Sequence, residues 1–260
     1  MAFHCTPARI RPVLEKVKLR AFLIKITVFK EGFALYQYFI QPIINKYNQS
    51  VISYELLLRQ QDKTFWGPVD NFSAVPAHVI VDELIEVAKQ LAQKVPFISV
   101  NLNRAQLLNP DIIESLIQAQ KRLRPVQIQI ELTEDVVNID FSDNDIIAVL
   151  QQFINEEMSI SIDDVDCGCN TEAFVKKLIP FTHEIKFALQ NFGQSVFLPE
   201  IQQRMIYWRN FAKLHKVRFI LEGIENEKID EFIDRFNIDI RQGYFYEKPH
   251  PLHSNKAISI

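Results

Sequence analysis

Residues 35–58 carry the stretch LYQYFIQPIINKYNQSVISYELLL, which decides the fold class predicted for this chain. Two runs rich in apolar and β-branched residues, 35–44 and 51–58, have the length and composition of strands. Only residues 45–50 separate them, which is too short for the helical crossover that joins parallel strands. We therefore predict that the first two strands pair antiparallel.

The rest of the chain predicts repeated β-α units. Amphipathic segments follow most strands; in one of them Ile80, Leu84, Ala88 and Leu91 recur at helical spacing. Such alternation is typical of a parallel sheet. We predict an α/β fold, a TIM-like (β/α)8 barrel whose first strand is antiparallel. The six further strands are predicted at residues 97–102, 126–132, 158–162, 184–188, 217–221 and 239–245.

Charge divides the chain into three predicted parts. Residues 1–31 hold seven basic and two acidic side chains, although the whole 260-residue chain has a formal net charge of −3. We predict a basic N-terminal extension at residues 1–33, a barrel domain at 34–255 and a C-terminal tail at 256–260.

Composition also excludes several classes of protein. A net charge of −3 disfavours a protein that coats nucleic acid polymers, and no apolar run is long enough for an integral membrane segment. The three cysteines, Cys5, Cys167 and Cys169, do not form the pattern of a disulfide framework. We therefore expect a cytoplasmic protein, because thiols stay reduced there.

Polar side chains gather where the predicted strands end, which is where barrel enzymes carry their chemistry. Each residue alone is typical of a solvated loop or a helix cap. Together they place five carboxylates at one mouth, and two carboxylates 4 Å apart repel by about 4 kcal/mol at an effective dielectric constant of 20. The residues are Glu55, Asn101, Glu131, Asp163, Asp164, Lys186, Glu222 and Gln242.

Cations would relieve this repulsion. Oxygen-rich ligand sets suit Mg²⁺ or Mn²⁺, and adjacent Asp163 and Asp164 can each give a carboxylate to a different ion. Two ions about 3.5–4 Å apart form the clamp used for in-line attack on phosphodiesters. The pattern therefore predicts a two-metal phosphodiesterase.

Eight ordered segments also resemble the motifs of the EAL-domain family of bacterial cyclic di-GMP phosphodiesterases. The family's YEALLR, SVNLS, EGVE and IKID motifs have close counterparts here, and QPI, ELTE, the opening DD and QGY are identical. The segments are QPI at 41–43, YELLLR at 54–59, SVNL at 99–102, ELTE at 131–134, DD at 163–164, IK at 185–186, EGIE at 222–225 and QGY at 242–244.

The resemblance implies a fold, a reaction and a role for each matching residue. The family fold is a β/α barrel with an antiparallel first strand, and its members cut cyclic di-GMP to linear pGpG with two Mg²⁺ or Mn²⁺ ions. It implies one metal on Glu55, Asn101, Glu131 and Asp163, and a second on Asp163, Asp164 and Glu222.

Further roles follow from the same resemblance. Lys186 would orient the attacking water or stabilise the developing negative charge, and Glu225 and Gln242 would act beside the metal ligands or through water. The implied catalytic group is Lys186, Glu222, Glu225 and Glu55. Arg59 would grip a phosphate, because a planar guanidinium suits that task. Gln41 and Gln242 would contact substrate, Gln41 at a guanine edge, and Glu134 would anchor the loop after the fifth strand. The family also implies a homodimer.

Three departures from the family pattern bear on activity. Leu56 replaces the signature alanine, Ala188 replaces an aspartate, and residues 165–170 read VDCGCN where the family has FGTGYS. We expect the metal cage to survive and the degenerate loop to leave the enzyme weak. Two alternatives stay open: a catalytically silent receptor for cyclic di-GMP, and a protein-interaction module with an unidentified partner.

Overall fold

The structure, a computed structural model, describes residues 35–192 and 196–252. The predicted basic extension at 1–33 and the tail at 256–260 lie outside these residues, so both remain predictions. Among the described residues, no helix is long and apolar enough to cross a membrane.

The hairpin at the start of the described chain is antiparallel, as the short connection predicts. Strand β1 (Tyr36–Asn45) pairs with β2 (Ser50–Asp62), and Gln41 lies opposite Glu55 in this register. The Asn45 side chain accepts hydrogen bonds from the amides of Tyr47 and Asn48, which satisfies backbone donors in the turn.

The other strands are short, and most of them follow the predicted positions. They are β3 (Phe65–Pro68), β4 (Phe97–Leu102), β5 (Gln127–Leu132), β6 (Ser159–Ile162), β7 (Glu184–Ala188), β8 (Arg218–Glu222), β9 (Ile240–Arg241) and β10 (His250–Pro251). The α-helices are α1 (Ala77–Leu91), α2 (Arg104–Leu107), α3 (Pro110–Leu123), α4 (Asp143–Asn155), α5 (Glu172–Leu178), α6 (Pro199–His215) and α7 (Glu227–Ile233).

Eight strands close into a barrel, which confirms the predicted fold class. The order around the barrel is β1, β2, β4, β5, β6, β7, β8 and β9, and β9 returns to β1. Strand β1 is antiparallel to both neighbours, whereas the remaining neighbours are parallel. Outside the closed barrel, β3 pairs antiparallel with β2, and β10 pairs antiparallel with β1.

The main core lies between the barrel and its helices. The predicted apolar stripe of α1 is buried: Leu84, Ala88 and Leu91 are fully inaccessible and Ile80 is 1% exposed. Leu56, which replaces the signature alanine, is also fully buried in this core. Because neighbouring strand residues point to opposite faces, Glu55 then points into the barrel.

The predicted eighth strand, residues 239–245, is too long. Strand β9 holds only Ile240 and Arg241, and the chain turns at Gly243, where the amide of Tyr246 donates to the Gly243 carbonyl. A side chain at Gly243 would come within 2.2 Å of the Ile224 carbonyl oxygen. Only glycine therefore fits at this turn, because the backbone passes so close to Ile224.

The β2–β3 hairpin was not predicted either. Strand β2 continues to Asp62, and Lys63 turns the chain with a φ of 53°. Residues 59–68 are mostly polar or turn-forming, so they lack the alternating apolar pattern on which a strand prediction depends.

Candidate active site

Parallel pairing aligns the polar side chains at the carboxyl ends of the strands. Asn101 of β4 is level with Glu131 of β5, and Asp163 directly follows β6. Lys186 lies in the middle of β7, and Glu222 is the last residue of β8. Successive strands thus bring these side chains to one end of the barrel interior.

Lys186 is the centre of this cluster. Its Nζ atom lies 2.6 Å from Glu222 Oε1, 2.8 Å from Glu131 Oε2, and 3.3 Å from oxygens of both Glu55 and Asp163. The lysine is completely buried. One ammonium group therefore contacts four of the five predicted carboxylates, and it cannot neutralise all of them.

The excess of negative charge appears in the pKa values. Burial and neighbouring carboxylates raise the pKa of Glu131 to about 8 and that of Glu222 to about 7, although Lys186 opposes both shifts. Burial, followed by repulsion from Glu222 and other carboxylates, raises the pKa of Asp163 well above its usual range. In the absence of metal, part of the cluster is therefore protonated at neutral pH.

Glu55 is the exception among the buried carboxylates. Burial alone raises its pKa, but Lys186 and hydrogen bonds from Asn101 and Gln242 outweigh that effect, so the pKa is lowered. Asn101 Nδ2 donates to Glu55 Oε1 at 2.7 Å, and Gln242 Nε2 donates to Oε2 at 2.6 Å. Glu55 is thus ionised and held in one orientation.

The oxygens of the cluster form two groups suited to divalent cations. Glu55, Glu131 and Asp163 each offer an oxygen within 4.8 Å of the others, and so do Asp163, Asp164 and Glu222. These triads match the carboxylates of the two predicted metal sets, with Asp163 shared. Asn101 Oδ1, Glu131 Oε1 and Asp164 Oδ1 are buried without a hydrogen-bond partner.

Unpartnered buried oxygens normally cost about 1–3 kcal/mol each, so they indicate a missing ligand. Mg²⁺ and Mn²⁺ prefer such oxygen donors. The residues present therefore fit the two-metal site that the sequence predicts.

A pocket of about 260 Å³ opens beside the carboxylates and holds the predicted substrate-binding residues. Glu55 and Glu222 line it together with Arg59, and Leu57 lies between Glu55 and Arg59 on the same face of β2. Gln41, Gln242 and Glu225 also line the pocket.

The structure gives less support for the predicted roles of Glu225 and Arg59 than for those of the other residues. Glu225 is exposed on the pocket wall and is absent from both metal-suited triads found among the described residues. Arg59 is half-buried, and burial is the largest influence on its pKa, which is lowered. The roles predicted for both residues stay predictions.

The altered loop at residues 163–170 is tightly folded. Asp164 and Asp166 adopt φ angles of 44° and 76°, in the left-handed region that aspartate tolerates better than most residues. The Glu134 carbonyl accepts a hydrogen bond from the Cys169 amide at 2.8 Å, and a side chain at Gly168 would come within 2.3 Å of the Glu134 oxygen. Glu134 thus contacts the loop that it is predicted to anchor.

The sequence did not predict that Arg104 and Asn170 hold this loop through hydrogen bonds. Arg104, 1% exposed, donates to the Thr133 carbonyl and to Asn170 Oδ1, both at 2.8 Å. Asn170, fully buried, donates to the carbonyls of Leu132 and Asp163. No periodicity or family motif marks this pair, because the contact joins residues 66 positions apart.

Two further residues at the site were also missed. Asn191 hydrogen-bonds the Asp164 carboxylate, which partly offsets the burial that raises the pKa of Asp164. Tyr244 is 55% exposed and lines the pocket with Arg59. The sequence signal that could have identified Tyr244 is its position in the QGY segment.

Comparison with known proteins identifies the family. A family model described as the EAL domain matches residues 30–249. The chain belongs to this family. The EAL domain thus covers the barrel, the carboxylate cluster and the pocket beside it.

Two curated relatives of this EAL domain come from Escherichia coli K12. The chain is 23% identical over 239 residues to the probable cyclic di-GMP phosphodiesterase PdeD, a match that covers 84% of this chain and 42% of PdeD. It is 27% identical over 179 residues to the cyclic di-GMP phosphodiesterase PdeR, covering 66% of this chain and 26% of PdeR. The matches thus span less than half the length of either relative.

Solved structures support the fold. The PaMucR phosphodiesterase, in complex with c-di-GMP, superposes with a TM-score of 0.70 at 21% identity, covering 83% of this chain and 92% of that one. At this identity the likeness concerns the architecture of the EAL domain.

Proposed function

We propose that this EAL domain is a metal-dependent phosphodiesterase that hydrolyses cyclic di-GMP to linear pGpG. The observation that carries the proposal is that the two carboxylate triads adjoin the pocket lined by Arg59, since Glu55 and Glu222 belong to the triads and also line the pocket. Cyclic di-GMP is the substrate class in the names of the curated relatives PdeD and PdeR.

In this proposal two ions, Mg²⁺ or Mn²⁺, occupy the carboxylate cluster. Glu55, Asn101, Glu131 and Asp163 would hold one, and Asp163, Asp164 and Glu222 the other. When bound, the ions would supply Lewis acidity that makes water nucleophilic at neutral pH and offsets the charge of the phosphodiester.

The protein's own side chains position the reactants. Lys186 carries a firmly held proton, because burial, which lowers its pKa, is outweighed by Asp163 and the other surrounding carboxylates, which raise the pKa well above its usual range. We propose that its ammonium orients the attacking water and stabilises negative charge that develops on the phosphate. Gln242 and Asn101 keep Glu55 ionised and oriented as a ligand.

The pocket residues would bind the dinucleotide. Arg59 would pair with a phosphate through its planar guanidinium. Gln41 Nε2 donates to the Glu247 carbonyl at 3.0 Å, which fixes the side chain that is proposed to meet a guanine edge. Exposed Glu225 would act through water. We also propose a homodimer in the cytoplasm, with residues 34–255 as the barrel domain.

Incubation of the pure protein with cyclic di-GMP and Mn²⁺ or Mg²⁺ tests the proposal, with linear pGpG as the measured product. Product should form, chelation should stop the reaction, and Ca²⁺ should not support it, because Ca²⁺ is larger and favours 6–8 ligands. Asp163→Asn should abolish turnover, whereas Asp111→Asn, on the exposed first turn of α3, should not. Full activity after exhaustive chelation would contradict the two-metal mechanism. Tight binding of cyclic di-GMP without product, despite bound metal, would favour the alternative that the protein is a catalytically silent receptor.

A further inference from the structure

The loop that carries Asp163 and Asp164 contains a third aspartate, Asp166, which faces another surface. Asp166 lines a pocket with Glu134, Cys167 and Arg204, and this pocket shares no lining residue with the one that contains Glu55. The Asp166 amide donates to the Asn170 carbonyl at 2.8 Å, so its backbone is part of the turn.

Arg204 of helix α6 holds the Asp166 carboxylate on that surface. Its Nε and one terminal nitrogen lie 2.7 and 2.6 Å from Asp166 Oδ2. The guanidinium also lies over the ring of Phe192, 4.3 Å from the ring centroid, and Phe192 stacks on Phe187 of β7 at 4.9 Å. The arginine is therefore oriented by an aromatic support as well as by its ion pair.

The position of Asp166 makes this restraint matter for the proposed reaction. Asp166 is two residues from Asp164, a proposed metal ligand, and Asn191, next to Phe192, hydrogen-bonds the Asp164 carboxylate. A free carboxylate here would be attracted to the bound cations, which would pull the loop out of the conformation that presents Asp163 and Asp164, and it would repel an anionic phosphodiester. Interactions that orient metal ligands typically change metal affinity by about 10–100-fold when they are removed.

We propose that Arg204 is a positioning residue that holds Asp166 away from the metal site and thereby sets the conformation of residues 163–170. The inference rests on the proposed function, since it concerns the same metal site. It accounts for how this chain keeps a folded loop with aspartate at a left-handed position where the family motif has glycine.

The ion pair itself should add little to global stability. The side chains of Arg204 and Asp166 are 42% and 28% exposed, and exposed ion pairs contribute little. Loss of the pair should therefore change metal binding more than the melting temperature, which separates positioning from a purely structural role.

Comparison of a single variant with the corresponding double variant tests the inference. Arg204→Met should weaken Mn²⁺ binding by about tenfold, measured by calorimetry. Asp166→Gly combined with Arg204→Met should restore the affinity to within about twofold of the wild type, because no carboxylate is left to restrain. Arg209→Met is the matched control, since Arg209 lies on the same helix and contacts the Phe236 carbonyl instead.

The two loop thiols give a second readout that needs no metal and no turnover. Cys167 and Cys169 are free and half-buried. In a Cys5→Ser background, Arg204→Met should increase the rate of thiol labelling several-fold, and Arg209→Met should not.

The two readouts separate failure of this inference from failure of the proposed function. Unchanged thiol labelling in Arg204→Met would overturn the inference, even if the wild-type protein binds no Mn²⁺. Equal loss of Mn²⁺ affinity in the single and double variants would also overturn it, because Arg204 would then act independently of Asp166. A wild type that binds no Mn²⁺ would contradict the proposed function, and faster labelling would still support the restraint on the loop.

Discussion

Gln41 of the reversed strand lies directly opposite Glu55, and Gln242 bridges the two side chains. Gln242 Nε2 lies 3.2 Å from Gln41 Oε1 and 2.6 Å from Glu55 Oε2. The antiparallel first strand therefore has a direct effect on the site. It brings the pocket residue Gln41 into contact with Gln242, which hydrogen-bonds the proposed metal ligand Glu55.

Glu55→Ala should abolish turnover and also destabilise the metal-free protein. Its removal leaves Asn101 Nδ2 and Gln242 Nε2 without their carboxylate acceptor, at a cost of about 1–3 kcal/mol. Urea unfolding in chelator measures this loss. Glu86→Ala, on the exposed face of α1, is the control and should have little effect. A metal-free Glu55→Ala protein as stable as the wild type would show that these hydrogen bonds contribute nothing net.

The metal-free protein should lose stability as the pH rises from about 5 to 8. The folded-state pKa values of Glu131 and Glu222 are about 8 and about 7, whereas an unfolded glutamate titrates near 4.3. Between these values the folded state binds more protons, so the free energy of unfolding falls with increasing pH.

Thermal unfolding in chelator across this pH range measures the effect. Saturating Mn²⁺ should raise the melting temperature most at pH 8, where the carboxylates are least protonated. A variant with both Glu131→Gln and Glu222→Gln should show a flatter profile. Stability that increases over the same window would contradict the assignment of these raised pKa values.

Asn170→Ala should destabilise the protein by about 2 kcal/mol, because it removes one acceptor of the buried Arg104 and a donor to the carbonyls of Leu132 and Asp163. It should also weaken Mn²⁺ binding, since one of those carbonyls belongs to Asp163. Urea unfolding and calorimetry measure the two effects. Asn210→Ala, an exposed asparagine on α6, serves as the control. Unchanged unfolding in Asn170→Ala would mean that Arg104 finds other acceptors.

Deletion of residues 1–31 should leave the proposed chemistry intact. All predicted ligand and pocket residues lie between Gln41 and Gln242, and the family match begins at residue 30. The truncated protein should bind Mn²⁺ and turn over cyclic di-GMP as the full chain does, as measured by calorimetry and product formation. A soluble, folded truncation that fails to bind metal would contradict the proposed extension.

The sequence by itself determined the class of fold and the chemical types at the site. The short connection at residues 45–50 forces the first hairpin to be antiparallel, and the apolar periodicities predict the β-α units. These are local properties of backbone length and side-chain spacing, so they can be inferred without knowing which distant residues meet. The identities of Glu55, Asp163 and Lys186 came from ordered motifs.

Only the tertiary structure decided how those residues are held. Barrel closure brings Lys186 to four carboxylates, limits the last barrel strand to Ile240 and Arg241, and pairs Asp166 with Arg204. Asn170 and Arg104 meet across 66 positions of chain. The physical reason is that such contacts depend on the register of strands and on the packing of helices around them, and no local pattern of residues specifies either.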